Sequence, residues 1–311
     1  MAAKPPASAK APRGRVPSGA RRRGAGRRRW VGLAYAAPAL ALFAFIVLVP
    51  LGQSVRYSLY KWDGISAGKW AGAKNYIAFF TDPLLRDSLV HVLVLVVFFA
   101  LIPTFLGLVT AGLLGHGRIH GAAFHRTVIF LPQVLAMVVV AVVWRRLLGP
   151  DGPINTALKA AGLDSLALNW LGDFTWALPA VGMVGFWINL GLCAVLYLAT
   201  VGSIPTERYE AARVDGAGPF RVFLAVTVPA MRGPTAVALT LTITGALRTF
   251  DLVWNMTKGG PGNATTTPAV MLFRYAFRNP QVGQAAAIGV IMAVFCLLVA
   301  LALVKLTERD K

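Results

Sequence analysis

Charge is scarce in this chain. Only 14% of its 311 residues are Asp, Glu, Lys or Arg, against roughly 25% in soluble domains, so water is not the main solvent of the fold. Acidic groups are scarcest, 12 against 31 Lys and Arg. Cysteine is nearly missing. Cys193 and Cys296 are the two present, both within apolar runs, which excludes a disulfide framework and a cysteine-ligated zinc site. Four histidines leave little for metal or acid–base chemistry. His116 and His120 have ligand spacing without a nearby carboxylate, and His91, inside an apolar run, has no acid or thiol partner. An enzyme buried in the membrane would need such groups to converge, so that class is set aside.

What is present is apolar: 57% of the residues are hydrophobic and the mean hydropathy is +0.64. A helix needs about 20 apolar residues to cross the hydrocarbon layer. Runs between charges place crossings at Val31–Leu51, within Ser88–Gly117, at Thr127–Trp144, within Phe174–Thr206, and from Val282 to Val304. A further run, Gly233–Leu247, has only 15 residues between Arg232 and Arg248. It spans if the helix continues past Arg248 and Asp251 towards Trp254, where those two residues, at i and i+3, would neutralise each other. The expected fold is therefore all-α, a polytopic membrane protein with six transmembrane helices. Its segments are a tail (1–30), a first crossing with its outer loop (31–87) and a main transmembrane domain (88–305) containing a loop at 203–229.

Ten of the 31 Lys and Arg precede Trp30, in a tail of Ala, Pro, Gly and Arg that cannot build a core. Nucleic acid is not its expected partner, because the tail lacks stacking aromatics. Beside an apolar span it acts as a topology determinant and contacts membrane lipid, keeping both termini cytoplasmic. Without it, 9 Lys and Arg face inward and 12 outward, so the orientation rests on the tail. The run of 21 apolar residues is too long for a usual cleaved signal core.

The inward loop is the most informative segment. Pro205 suits a first helical turn, with Glu207 and Glu210 near its positive end. Ala211 and Ala212 let a partner backbone approach, Asp215-Gly216 is a stop signal, and Pro229 ends the segment. Geometry alone reads equally well as an ordinary helix–turn–helix loop. However, Glu210, Ala211, Ala212, Gly216, Val226, Val228 and Pro229 resemble, in type and spacing, the signature loop of permease subunits of binding-protein-dependent ABC importers. Asp215 and Ala217 resemble the sugar-transporting branch. The family pattern prefers Ile and Leu where Val226 and Val228 stand. Thr257-Lys258-Gly259-Gly260-Pro261 after Phe250-Asp251, and Ser58 to Asp63 with Asn75-Tyr76, resemble outer loops of the maltose and oligosaccharide type.

That resemblance implies a type I importer transmembrane domain translocating a sugar or oligosaccharide. It implies three partners: a second homologous permease, an ATPase dimer and an extracytoplasmic solute-binding protein. No cofactor is expected on this chain, since ATP and magnesium belong to the ATPase, and the chain is not expected to be an enzyme. Glu210, Ala211, Ala212, Asp215, Gly216, Ala217 and Pro229 would form the ATPase-coupling loop. The threonine-rich fifth crossing is the candidate pathway wall, through Thr240, Thr244, Arg248 and Asp251, because ionisable groups at depth are functional by default. The alternative is an ion-coupled secondary transporter, for which Asp251 is the only candidate carboxylate and no internal repeat is visible. Gly64 to Trp70 is one residue short of a phosphate-binding loop and lacks its Ser or Thr. Asn263-Ala264-Thr265 fits a glycosylation acceptor, relevant only in a secretory pathway.

Overall fold

The computed structural model describes residues 35–115 and 122–308, so the tail 1–30 and the His116/His120 pair lie outside the described residues. Two compact units divide between Gln53 and Ser54. Helix α1, Tyr35–Ser58, contains a π-turn at Ala44–Leu48.

In the larger unit the chain first makes a two-stranded antiparallel finger, β1 (Tyr60–Lys61) with β2 (Lys69–Trp70), Tyr60 opposite Trp70. Gly64 to Trp70 is thus a turn and a strand; a phosphate loop would lead into a helix instead. After α2 (Lys74–Thr81), Asp82 accepts the Leu84 N–H at 2.8 Å and Pro83 takes the first turn, so α3 (Pro83–Gly112) starts sharply, five residues before the expected Ser88.

The third expected crossing is not one straight helix. α4 (Ala122–Val134) carries Pro132, whose missing N–H and ring disrupt the ladder. Ala136 is extended (ψ 132), and α5 (Met137–Leu147) leaves at 106° to Thr127–Val134. α6 (Pro153–Ala160) leads to α7 (Ala177–Val201), the fourth crossing. Close packing comes from small residues. At Gly191, on α7, an added Cβ would come within 2.5 Å of the Ile129 carbonyl oxygen of α4.

α8 (Thr206–Val214) and α9 (Pro219–Ala230) form the loop region, followed by α10 (Arg232–Leu247) at 66° to α9. Here the sequence expectation needs correction. α10 stops at Leu247 instead of running through to Trp254. Arg248, Thr249 and Phe250 leave the helix, and α11 (Asp251–Met256) is a separate element. Tertiary bonds supply the reason, because the freed Thr249 carbonyl accepts the Thr267 hydroxyl at 3.1 Å. α12 (Pro268–Phe273) and α13 (Val282–Glu308) complete the chain. Among the described residues, four helices are long and apolar enough to cross a membrane, or up to six spans if each bent pair counts as one. The largest apolar cluster joins Phe99, Val140, Val181, Val184, Leu252 and Val270, tying α3, α5, α7, α11 and α12 together.

Candidate functional site

The loop at 203–229 is built on a helix stop. Gly216 adopts φ +74, a left-handed conformation that glycine reaches at little cost. Its N–H donates to the Arg213 carbonyl and the Ala217 N–H donates to the Ala212 carbonyl, both at 3.0 Å. These are the two bonds of a Schellman termination, which satisfies carbonyls that the end of α8 leaves open. The chain then reverses into α9, with Pro219 in its first turn.

The reversal creates an open groove of about 510 Å³ whose lining includes Ala211, Ala212, Asp215, Val226 and Pro229. Four of the seven residues expected in the coupling loop, Ala211, Ala212, Asp215 and Pro229, therefore share one surface with Val226 of the signature pattern. Glu210 and Gly216 are exposed outside that lining, and Ala217 lines a second cavity, of about 350 Å³, behind it. The methyl groups of Ala211 and Ala212 leave the backbone approachable. The groove holds one carboxylate, Asp215, and no group of three or more His, Cys, Asp or Glu that could hold a metal occurs among the described residues.

What sequence reading missed is the support behind the groove. Tyr209 and Thr227 are buried and their hydroxyls lie 3.3 Å apart. Phe223 packs against Gly112 of α3 so closely that a Cβ there would overlap its ring. No motif marks either contact, since they join segments through the fold.

The candidate pathway residues Thr240, Thr244 and Arg248 recur every four residues, so they share one side of α10 and its end. The Thr240 hydroxyl donates to the Ala236 carbonyl at 2.7 Å and Thr244 to the Thr240 carbonyl at 2.5 Å. Each hydroxyl proton is thus used within the helix, leaving oxygen lone pairs as acceptors. The expected Arg248–Asp251 neutralisation is not formed. The helix break separates them, both are exposed, and no hydrogen bond or ion pair of the Arg248 guanidinium occurs among the described residues. Beside them Phe250 stacks on Trp254 at 5.6 Å between centroids, and the Arg278 guanidinium stands 5.6 Å from the Trp254 ring.

The loop after α11 is tightly bonded. Lys258 and Asn263 hold positive φ (54 and 77). Arg274 donates to the Asn263 side-chain oxygen at 2.6 Å and the Lys258 carbonyl at 2.7 Å. Burial, with Arg278 adding like charge, lowers the Arg274 pKa. Thr265 and Thr266 donate to the Gly260 and Gly259 carbonyls at 2.8 and 2.9 Å. His91 places Nδ1 2.9 Å from the Thr266 carbonyl oxygen, so the one histidine within a predicted span ties α3 to this loop.

The finger is equally ordered. Backbone N–H groups of Ile65 and Ser66, then the Ser66 hydroxyl, hold the Asp63 carboxyl below its ordinary pKa. Asn75 donates to the Ser58 and Tyr60 carbonyls, and the Gly283 N–H reaches the Trp62 carbonyl at 3.1 Å.

The chain is similar to known proteins over most of its length. A family model described as binding-protein-dependent transport system inner membrane component matches residues 64–310. The diacetylchitobiose uptake system permease protein NgcF of Streptomyces coelicolor is 36% identical over 289 residues, 89% of this chain and 82% of that protein. The probable ABC transporter permease YurN of Bacillus subtilis is 35% identical over 88% of this chain and 94% of its own length. The lactose transport system permease LacF of Rhizobium radiobacter is 30% identical over 84% of this chain and 88% of its own. Among solved structures, a chain of a bacterial ABC transporter that imports the acidic polysaccharide alginate superposes with a TM-score of 0.76. It covers 91% of this chain and 96% of its own length at 22% identity, a likeness of fold.

Proposed function

Because the chain belongs to the binding-protein-dependent transport system inner membrane components, multi-pass proteins of ABC importers, we propose that it is the permease through which a sugar or oligosaccharide enters the cell. It works with a second, homologous permease, an ATPase dimer and an extracytoplasmic solute-binding protein. Both termini and the 203–229 loop face the cytoplasm. ATP and magnesium act on the ATPase, and this chain supplies the pathway and the handle. The groove flanked by Ala211, Ala212, Asp215 and Pro229 carries the reading. A small-residue surface next to an exposed helix stop is a docking feature, and ATPase closure there turns the bundle as a rigid body. The sugar class is supported by relatives named for diacetylchitobiose, lactose and multiple sugars.

Two measurements test it. A tagged chain purified in mild detergent is expected to bring down an ATPase, which an ion-coupled carrier would not do. A cysteine placed at Asp215 is expected to react with an impermeant maleimide in inside-out vesicles and to stay unlabelled in intact cells. Labelling from outside would refute the orientation and the grip together.

Arg248 supplies a separate prediction for the pathway. A guanidinium with no hydrogen bond or ion pair among the described residues keeps its donors for a solute hydroxyl or carboxylate passing the break in the fifth crossing. A charge-assisted hydrogen bond contributes about 1.5–3 kcal/mol, so Arg248→Ala is expected to raise the solute concentration needed for half-maximal ATPase stimulation about tenfold or more. An unchanged stimulation curve would remove Arg248 from the pathway.

A further inference from the structure

The 66° turn between α9 and α10 pivots on Met231, which is fully buried. A bend that flexes would absorb a push on the loop before it reached the crossing. Two tyrosine–threonine pairs bracket this bend. Four residues before Met231, Thr227 meets the Tyr209 hydroxyl of α8 at 3.3 Å, the two residues being 1% and 6% exposed. Four residues after it, Thr235 accepts the Tyr197 hydroxyl of α7 at 3.0 Å, and Tyr197 is completely buried. Tyr197 and Met231 also share one apolar cluster with Ala111, Cys193 and Ala238. Thr227 closes a π-turn, Phe223–Thr227, a departure from regular helix that recurs at functional positions.

We propose that the Tyr209–Thr227 and Tyr197–Thr235 bonds splint the Met231 elbow, so that displacement of the loop turns the fifth crossing as one body. Both tyrosines are positioning residues for coupling, an inference that rests on the ATPase-grip reading above. The physical reason is directionality. Apolar packing around Met231 resists separation but sets no angle, whereas hydrogen bonds on each side of a pivot, one buried and one part-buried, fix one, in a setting of lower dielectric than water that strengthens them. The first splint ties the bend to the docking helix and the second to the adjacent crossing.

The test uses the complete reconstituted transporter with Tyr209→Phe and Tyr197→Phe, each of which keeps the ring and its packing. Solute imported per ATP hydrolysed is expected to fall about two- to tenfold in each, the equivalent of one buried hydrogen bond. The amount of co-purifying ATPase should stay unchanged. Thr227→Val should reproduce Tyr209→Phe, the double variant should be no worse than either, and Thr227→Ser, which retains the hydroxyl, should keep the normal ratio. An unchanged import-to-hydrolysis ratio in both tyrosine variants, or additive losses in the Tyr209/Thr227 double variant, would overturn the splint. Loss of co-purifying ATPase from the unaltered chain is a different result, and it would overturn the grip itself.

Discussion

A Gly216→Val protein is expected to reach the membrane in normal amounts and to import solute at no more than about one-tenth of the normal rate. The left-handed backbone at φ +74 costs an L-residue about 1–2 kcal/mol, more for one branched at Cβ. Relieving that strain means breaking the Arg213 and Ala212 carbonyl bonds that end α8. An added Cβ meets nothing within 4 Å, so folding of the bundle is not obstructed. The damage is confined to the angle at which α8 presents Glu210, Ala211, Ala212 and Asp215. Gly216→Asn, tolerated in this conformation, should retain most of the transport. Comparing initial uptake in vesicles with equal permease content decides the matter, and normal uptake by the valine variant would end the assignment of this loop as the coupling contact.

The second large effect is expected at the opposite end. Gly283 lies in the first turn of α13, where the finger docks. A Cβ there would overlap the carbonyl oxygen of Tyr60 and stand 3.2 Å from that of Tyr57. Both obstacles are backbone and cannot swing aside, so Gly283→Ala must displace the finger and stretch the Gly283–Trp62 bond. Overpacking of this kind costs about 1–3 kcal/mol, and here it falls on one attachment. Protease cleavage between residues 60 and 70 in right-side-out vesicles should accelerate at least about fivefold, and uptake driven by the binding protein should drop with it. Gly289→Ala is the control, because its nearest obstacle is the far end of the Leu272 side chain at 3.3 Å. Equal protection of the Gly283→Ala finger and the unaltered one would show that the attachment carries no strain.

The crossings were legible where length and apolarity alone decide them. Val282 onward and the run within Phe174–Thr206 were read from uninterrupted apolar residues, and both are continuous helices. The helix stop in the 203–229 loop was legible because its signals are local. Pro205, Ala211, Ala212 and Gly216 act through their own backbone or their own small side chains. The expectation of an unbroken helix failed in the third and fifth crossings. Apolar content counted residues 127–144 as one span, whereas Pro132 and an extended Ala136 turn the chain by 106°. Helical spacing paired Arg248 with Asp251, whereas a threonine hydroxyl 18 residues away captures the Thr249 carbonyl and ends the helix between them.

By itself the sequence determined that this chain lives in lipid, how many apolar runs it has, and where α8 must stop. Those properties follow from transfer free energies and backbone sterics, which each residue carries with it. Only the tertiary structure decided that Arg248 makes no ion pair with Asp251, that Tyr209 and Tyr197 flank a buried elbow, and that the finger rests on Gly283. Hydrogen bonds and close approaches between residues far apart in the chain depend on which helices meet, and that is settled by the packing of the whole bundle.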